Sequence, residues 1–432
     1  MRRLLAALFG RPWRVLGAVL VLVAAGALAT QAYAWYHLRA GRAALEQYHT
    51  ADARRHLDAC LSVWSGSSTA HLLAARAARR ASDYEAAERH LDACPQGDAK
   101  KLEWALLTAT KGDLLESEEF LTGRVKRDPG LAPLVWEALA EGNTRMCRVR
   151  GAVAILDHWL TVDPDNARAH FLRGNVYRLV STGKSCDDYQ RVIELDPGND
   201  EARWWLAVGL EEDGQYGKAL PHLERLRDVG WPDPDLRPRL ALALARVGRG
   251  AEARALLDAV LAETPDDGLA LRYRGKIELL AEGGDLSAAE GWLRAAVRAR
   301  PNDYRTRNDL VQCLRQAHKD DLAREEAATA EKLKLRQERI SEIRTREMSM
   351  HPHDPALHCE MGVIYDSLGY TDLAEKWLAS ALHEDPDYRP GHAALADFYE
   401  RHQRDQAAVE EHRRLAQGAA APDPDERPAK KP

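Results

Sequence analysis

The sequence predicts an all-α fold in which about eleven consecutive helix pairs form an α-solenoid, preceded by one N-terminal transmembrane helix. Three observations support this prediction. Strong helix formers (Ala, Leu, Arg and Glu) dominate the 432 residues, and only four residues are Phe. An uncharged apolar run lies near the N-terminus. Prolines then recur every 33 to 36 residues, at positions 95, 129, 164, 197, 232, 265 and 301, and positions 352 and 386 are again 34 apart.

The N-terminal segment joins a basic stretch, residues 1–14, to an apolar run, residues 15–34, whose only strongly polar residue is Gln31. Twenty helical residues span about 30 Å, the thickness of the hydrocarbon core of a bilayer. Trp35 and Tyr36 follow the run, where interfacial aromatic residues are expected. The positive-inside rule keeps the basic stretch in the cytoplasm, so we expect a single-pass protein with its repeats on the periplasmic or extracytoplasmic side.

A cleaved signal peptide is the alternative interpretation of this segment. Ala32, Tyr33 and Ala34 form the small-x-small pattern of a cleavage site. The apolar run is long for a signal peptide, however, and helix-forming sequence continues directly through it. We therefore expect a retained membrane anchor.

The proline period indicates repeated helix pairs. A proline just past an amphipathic helix ends that helix, since proline lacks an N–H and clashes with the preceding turn. In the unit that begins at Pro355, Gly362 and Tyr365 share one face of a first helix. Gly369 interrupts that helix, and Leu378 lies on the inner face of the second. This arrangement resembles the tetratricopeptide repeat, which places small residues at positions 8 and 20 and proline at position 32.

Eleven units start near residues 34, 68, 98, 133, 167, 201, 234, 268, 304, 355 and 389. We assign repeats 1–8 to residues 34–303, repeat 9 with an extended charged helix to 304–350, repeats 10–11 to 351–416, and a disordered tail to 417–432. The extended helix should run from Asp320 to about Met348. Its dense mixed charges predict a solvated helix that projects beyond the solenoid, as a spacer or as a docking arm for a partner.

No catalytic, cofactor-binding or metal-binding pattern is found in the sequence, so we expect a protein that is not an enzyme and has no cofactor. Residues 181–185 resemble the end of a phosphate-binding loop, but Arg178 stands where that motif needs Gly. No two of the six cysteines form a C-x-x-C pair, and each is expected to fill a small core position. The net charge of −6 argues against a nucleic-acid partner. A small-molecule substrate is not expected either.

In the tetratricopeptide family, the first helices of successive units line a concave groove that holds an extended peptide or a partner's helix. The matching positions in this chain hold Phe171, Asn175, Arg178, Trp205, Arg246, Arg272, Lys276, Arg305, Asn308 and Arg315. Their basic and polar character predicts that Arg forks bind an acidic peptide or a C-terminal carboxylate. The alternative is an arginine-rich surface that neighbouring Glu residues neutralise.

The resemblance implies a scaffold or adaptor that mediates protein–protein interactions at a bacterial cell envelope and is attached to the membrane by its N-terminal helix. Repeat arrays often bury a terminal face against a second copy, so a homodimer is a further option. The alternative function is that of a targeting subunit, which presents substrates to a separately encoded enzyme.

Overall fold

The computed structural model describes residues 12–146, 148–179, 182–351, 353–404 and 406–418. These residues form helix after helix, with no strand among them, and the predicted all-α fold of stacked helix pairs is confirmed. Most of the basic N-terminus predicted at 1–14 lies outside the described residues. Of the tail predicted to be disordered, only Gln417 and Gly418 are described.

The chain divides into two compact units, Met1–Arg145 and Met146–Pro432. The helices of the first unit are α1 (Pro12–Glu46), α2 (Thr50–Leu61), α3 (Ser68–Arg80), α4 (Tyr84–Asp92), α5 (Asp98–Lys111), α6 (Leu115–Arg127) and α7 (Ala132–Arg145). A 3-10 turn at Pro129–Leu131 precedes α7. The boundary between the units falls inside the predicted repeat that begins at residue 133, a division that the sequence did not predict.

The second unit continues the series of helices. They are α8 (Val149–Val162), α9 (Ala167–Tyr177), α10 (Thr182–Leu195), α11 (Asp200–Glu212), α12 (Tyr216–Asp228), α13 (Leu236–Arg246), α14 (Gly250–Glu263), α15 (Gly268–Leu280), α16 (Leu286–Ala299), α17 (Tyr304–Gln316), α18 (Asp320–Glu342), α19 (Met348–Met350), α20 (Pro355–Ser367), α21 (Thr371–Glu384), α22 (Arg389–Arg401) and α23 (Gln406–Ala416). A π turn, Ile343–Glu347, joins α18 to α19.

Where the eighth position of the repeat is glycine, the two helices of a pair are in close contact. A Cβ added at Gly362 of α20 would lie 2.6 Å from Cγ of Leu378 of α21, and one added at Gly275 would lie 2.7 Å from Cγ of Leu293. At Gly174 the ring of Tyr189 is 2.8 Å from the same point. The small residues that the repeat pattern predicts are therefore located where two helix backbones pack against each other.

Imidazole side chains near the start of several first helices hold the preceding turn. His71 and His392 each direct Nε2 at a backbone carbonyl six residues earlier, at 2.9 Å. A carbonyl oxygen only accepts, so Nε2 carries the proton and Nδ1 accepts a hydrogen bond from the second helix of the same repeat. The donors are Nδ1 of His90, 3.1 Å away, and Nδ1 of His412, 2.9 Å away. Each neutral histidine pair therefore links the turn before the first helix to both helices of the repeat.

Five cysteines, at positions 60, 94, 186, 313 and 359, are buried and free. Burial raises the pKa of the Cys186 thiol to about 11. The prediction that cysteines fill core positions is confirmed for these five, whereas Cys147 lies outside the described residues.

The extended helix of repeat 9 packs against the following repeat. Leu333, Ile340 and Ile343 are buried and form one cluster with Met361 of α20. The prediction of a solvated, projecting helix is therefore wrong for this inner face. Its apolar residues are sparse, but their spacing places them on one side of the helix, and the next helix pair covers that side.

The same segment also contacts an earlier part of the second unit. Arg344, in the π turn, donates a hydrogen bond to the carbonyl of Leu179, just after α9, at 3.1 Å. Arg148 contacts the ring of His353, whose Nδ1 lies 2.7 Å from Glu384. The extended helix is therefore held at both ends of its connection to repeat 10.

Replacing Gly362 by Ala should lower the free energy of unfolding by about 1–3 kcal/mol. The added methyl group would overlap Cγ of Leu378 and press on the backbone nitrogen of that residue, 3.0 Å away. Gly291→Ala is the matched control, since a Cβ there meets nothing within 4 Å. Helix propensity should stabilise this control by up to about 1 kcal/mol. Chemical denaturation compares the two variants, and equal stabilities would contradict the assigned packing.

The histidine pairs should make stability depend on pH. Burial, reinforced by the neighbouring imidazole, lowers the pKa of His90 and of His412 from its ordinary value of 6.5. The unfolded chain takes up these protons near pH 6.5, whereas the folded chain accepts them only at lower pH. The contribution of these histidines to the free energy of unfolding should therefore be fully present above pH 6.5. It should be lost as the pH drops below that value.

Urea melts between about pH 7.5 and about pH 5 measure this slope. A variant carrying His90→Asn and His412→Asn should show a shallower loss of stability over that interval. A slope that is unchanged in the variant would show that other groups control the acid sensitivity.

Candidate peptide-binding cleft

A cleft of about 800 Å³ opens on the face formed by the first helices α13, α15 and α17. Each helix contributes an arginine to its wall, and the residues involved are Arg239, Arg272 and Arg305. The turn between α20 and α21 closes the opposite side with Tyr370. Gly369 gives that turn its shape, since its φ of 78° lies in the left-handed region that favours glycine.

Carboxylates hold the deeper arginines in place. Arg239 donates to Glu211 at 2.6 Å, and the hydroxyl of Tyr273 donates to the other oxygen of the same carboxylate at 2.7 Å. Burial raises the pKa of Tyr273 above its ordinary value of 10, and the adjacent Glu211 adds to this effect. The tyrosine therefore remains a neutral hydrogen-bond donor.

Asp309 binds two of the cations predicted for the groove. Its carboxylate is 2.6 Å from Nε of Arg272 and 3.1 Å from Nζ of Lys276. Only about a tenth of the Arg272 and Asp309 side chains is exposed. These charges are committed to one another within the wall of the cleft.

Arg305 is held more weakly. Its guanidinium lies 3.1 Å from Glu212, and half of the Arg305 side chain is exposed. Exposed ion pairs of this kind contribute little net free energy, typically below about 1 kcal/mol. Tyr370 is also exposed, at 53%. Arg305 and Tyr370 are therefore the parts of the cleft that a ligand can engage at low cost.

The predicted groove residues in earlier repeats mostly contact other side chains of the protein. Phe171 is buried beside Tyr189, whose hydroxyl donates to Asn175 at 2.7 Å. The guanidinium of Arg178 covers the ring of Trp205, 3.9 Å from its centre. The ring of Trp205 is thus covered by a cation, and Phe171 belongs to the core.

Of the remaining predicted residues, Arg246 and Arg315 lie near the C-terminal ends of their helices, and Asn308 lies in the first half of α17. Arg246 is exposed and lies over the ring of Tyr216, 5.2 Å from its centre. Asn308 and Arg315 are also exposed, and Arg315 forms no ion pair with any residue that the structure describes. The structure therefore separates the predicted set into a neutralised cleft and exposed residues beyond it.

The acidic side of the cleft was not predicted from the sequence. The predicted groove residues lie at positions 2, 5, 9, 12 and 13 of their units. Glu212 and Asp235 occupy positions 12 and 2 of the units that begin at 201 and 234, so the same rule would have found them. Asp309 and Glu211 occupy positions outside that rule. Their role depends on contacts between neighbouring repeats, which the sequence period alone does not specify.

Comparison with known proteins agrees with the repeat assignment. The profile of the tetratricopeptide repeat family matches residues 38–98 and 239–304, and the second match extends from Arg239 to Tyr304 of the cleft. Tetratricopeptide repeats, predicted from the sequence, are thereby confirmed for these two stretches. No curated protein matches the chain in sequence.

Several solved helical-repeat structures are similar to the chain at low identity. YrrB, described as a tetratricopeptide repeat protein with an unusual peptide-binding site, is 21% identical with a TM-score of 0.39, and the match covers 46% of this chain and 97% of YrrB. The human IFIT1 dimer with PPP-AAAA is 16% identical with a TM-score of 0.34, covering 81% of this chain and 90% of IFIT1. MamA is 17% identical with a TM-score of 0.33, covering 39% and 97%.

Asp309→Asn should lower the free energy of unfolding by about 3 kcal/mol, because it leaves Arg272 and Lys276 without their shared counter-charge in a largely buried site. Asp258→Asn is the control. Asp258 pairs with Arg274 at 2.8 Å, but more than half of its side chain is exposed. Its loss should cost less than about 1 kcal/mol. Urea denaturation measures both variants, and similar losses would contradict the structural role of Asp309.

Proposed function

We propose, from the tetratricopeptide repeat matches at residues 38–98 and 239–304, that the chain is a non-catalytic scaffold that binds peptides of partner proteins in the cleft of its second unit. The cleft carries the proposal because it combines arginine and tyrosine side chains, the residue types that contribute most to protein–protein binding energy. Its width is set by rigid helices, so a peptide would meet a largely preformed surface.

We infer that the preferred ligand segment is acidic. The exposed pair of Arg305 and Glu212 can open at little cost, and a carboxylate of the ligand can then take the place of Glu212. Tyr370 would pack against the adjoining part of the peptide. Arg272 would keep its bond to Asp309 and would act by shaping the wall, since exchanging that buried partner would expose an unpaired charge.

We further propose that α1 anchors the protein in the membrane of a bacterial cell envelope, with the repeats on the extracytoplasmic side. Within the described residues one helical stretch, Leu16–Glu46, is long and apolar enough to cross a bilayer. Ala34 supports an anchor over a cleaved signal peptide, since it lies inside a continuous helix and is fully buried against Cys60 and Ala70. Cleavage after Ala34 would remove one member of that small core.

The test is an in-cell crosslink and pull-down of the tagged full chain and of a variant carrying Arg305→Glu and Tyr370→Ala. We expect a partner recovered with the parent to be lost at least tenfold from the variant, because both exposed contacts in the cleft are removed. Quantitative mass spectrometry of the recovered proteins measures the loss.

Arg298→Glu is the matched control, since it makes the same charge reversal at an exposed position on the second helix α16. It should recover the parental partners in full. Equal recovery with the cleft variant and the parent would place the binding surface elsewhere and would overturn the assignment of this cleft.

A further inference from the structure

We propose that the loop at residues 62–67, between α2 and α3, is a second membrane contact, in which Trp64 enters the headgroup region of the bilayer that holds α1. The inference rests on the proposed membrane anchoring of α1. It adds to that proposal a defined lipid-binding surface on the first repeat.

The loop has a fixed position relative to the apolar span. α1 is one helix of 35 residues, and its C-terminal part serves as the first helix of repeat 1. Packing leaves no room for movement there, since a Cβ at Gly41 would lie 2.8 Å from Cγ of Leu57. Arg80 of α3 also donates to the carbonyl of Leu45 at 2.6 Å. The first repeat is therefore fixed to the membrane helix without a hinge.

A single hydrogen bond defines the position of the loop along the membrane normal. Nε1 of Trp64 donates to Oε1 of Gln31 at 2.7 Å. The exposed apolar part of α1, residues 16–33, is about 27 Å long as a helix, close to the hydrocarbon thickness of a bilayer. Gln31 therefore lies at the end of the span, and the loop bonded to it lies at the boundary between hydrocarbon and headgroups.

The residues at that level suit a lipid interface. Tyr33, Trp35 and Tyr36 are about half exposed around α1 and form an aromatic belt beside the loop. Trp64 and its neighbour Val63 are partly exposed. A tryptophan prefers this boundary because its ring is apolar while its N–H needs an acceptor. Gln31 supplies that acceptor, and in return its amide oxygen is hydrogen-bonded at a depth where an unpaired polar atom would be costly.

Cationic groups stand one or two turns further along α1. Arg39 and Arg42 are exposed, and the guanidinium of Arg39 lies over the ring of Trp35, 4.8 Å from its centre. Arginines at this distance beyond an aromatic belt can reach lipid phosphates. The surface formed by the belt, the loop and these arginines therefore fits phospholipid headgroups.

The experiment places the photocrosslinking amino acid benzoylphenylalanine at Val63, which leaves Trp64 intact, in the full chain reconstituted in nanodiscs of phosphatidylcholine and phosphatidylglycerol. Val23, inside the apolar span, is the positive control. Gln96 is the matched negative control, because it is exposed in the equivalent loop after α4 and that loop has no tryptophan. Intact mass spectrometry detects lipid adducts after irradiation.

We expect lipid adducts at positions 23 and 63 and none at 96. An adduct at 23 without one at 63 would overturn the loop contact while leaving the anchor in place. Adducts at neither position would overturn the anchoring itself, so the two failures are distinguishable.

A second measurement tests Trp64 directly. Trp64→Ala should reduce the yield of lipid adducts at position 63 at least threefold, whereas the yield at position 23, measured in the same variant, should stay close to that of the parent because Val23 lies within the apolar span. An unchanged adduct yield would overturn the role assigned to Trp64.

Discussion

The close approach of two helices within each repeat is the constraint on which the rest of the structure depends. At Gly362, Gly275 and Gly174 the nearest atom is less than 3 Å from where a Cβ would lie, so any side chain there would force its neighbour to move. This contact fixes the angle between the helices of a pair. The next helix pair then stacks on the preceding pair. The side chains of successive first helices come to lie on one face.

Electrostatics decides what that face can do. A count of arginines suggested a basic groove, but Asp309 and Glu211 neutralise its buried members. Ion pairs in such a partly buried wall add little to stability when both partners are present, because desolvation offsets their attraction. Their main effect is to hold side chains in one geometry. Arg305 and Tyr370 remain accessible, so the structure distinguishes residues that shape the cleft from residues that can bind.

Much of the fold could be predicted because it depends on local patterns. The proline spacing and the small residue at the eighth position are properties of one repeat, and the close helix contact that they predict is seen at Gly362, Gly275 and Gly174. Interactions between repeats were harder to predict. The pairing of Arg272 with Asp309 joins successive first helices, and the sequence period does not specify their stagger. For the same reason the packing of Ile340 against repeat 10 was missed, since an insertion breaks the period on which the prediction relied.

The bond between Arg344 and the carbonyl of Leu179 has a consequence for folding. In an ideal repeat array each element touches only its neighbours, so the array can unravel from either end. Here the contact joins residues 165 positions apart, and Arg148 meets His353 across 205 positions. Contacts of such high order slow folding, because a long loop must close before they form. They also oppose fraying from the ends, and the second unit should melt as one cooperative body from α8 to α21.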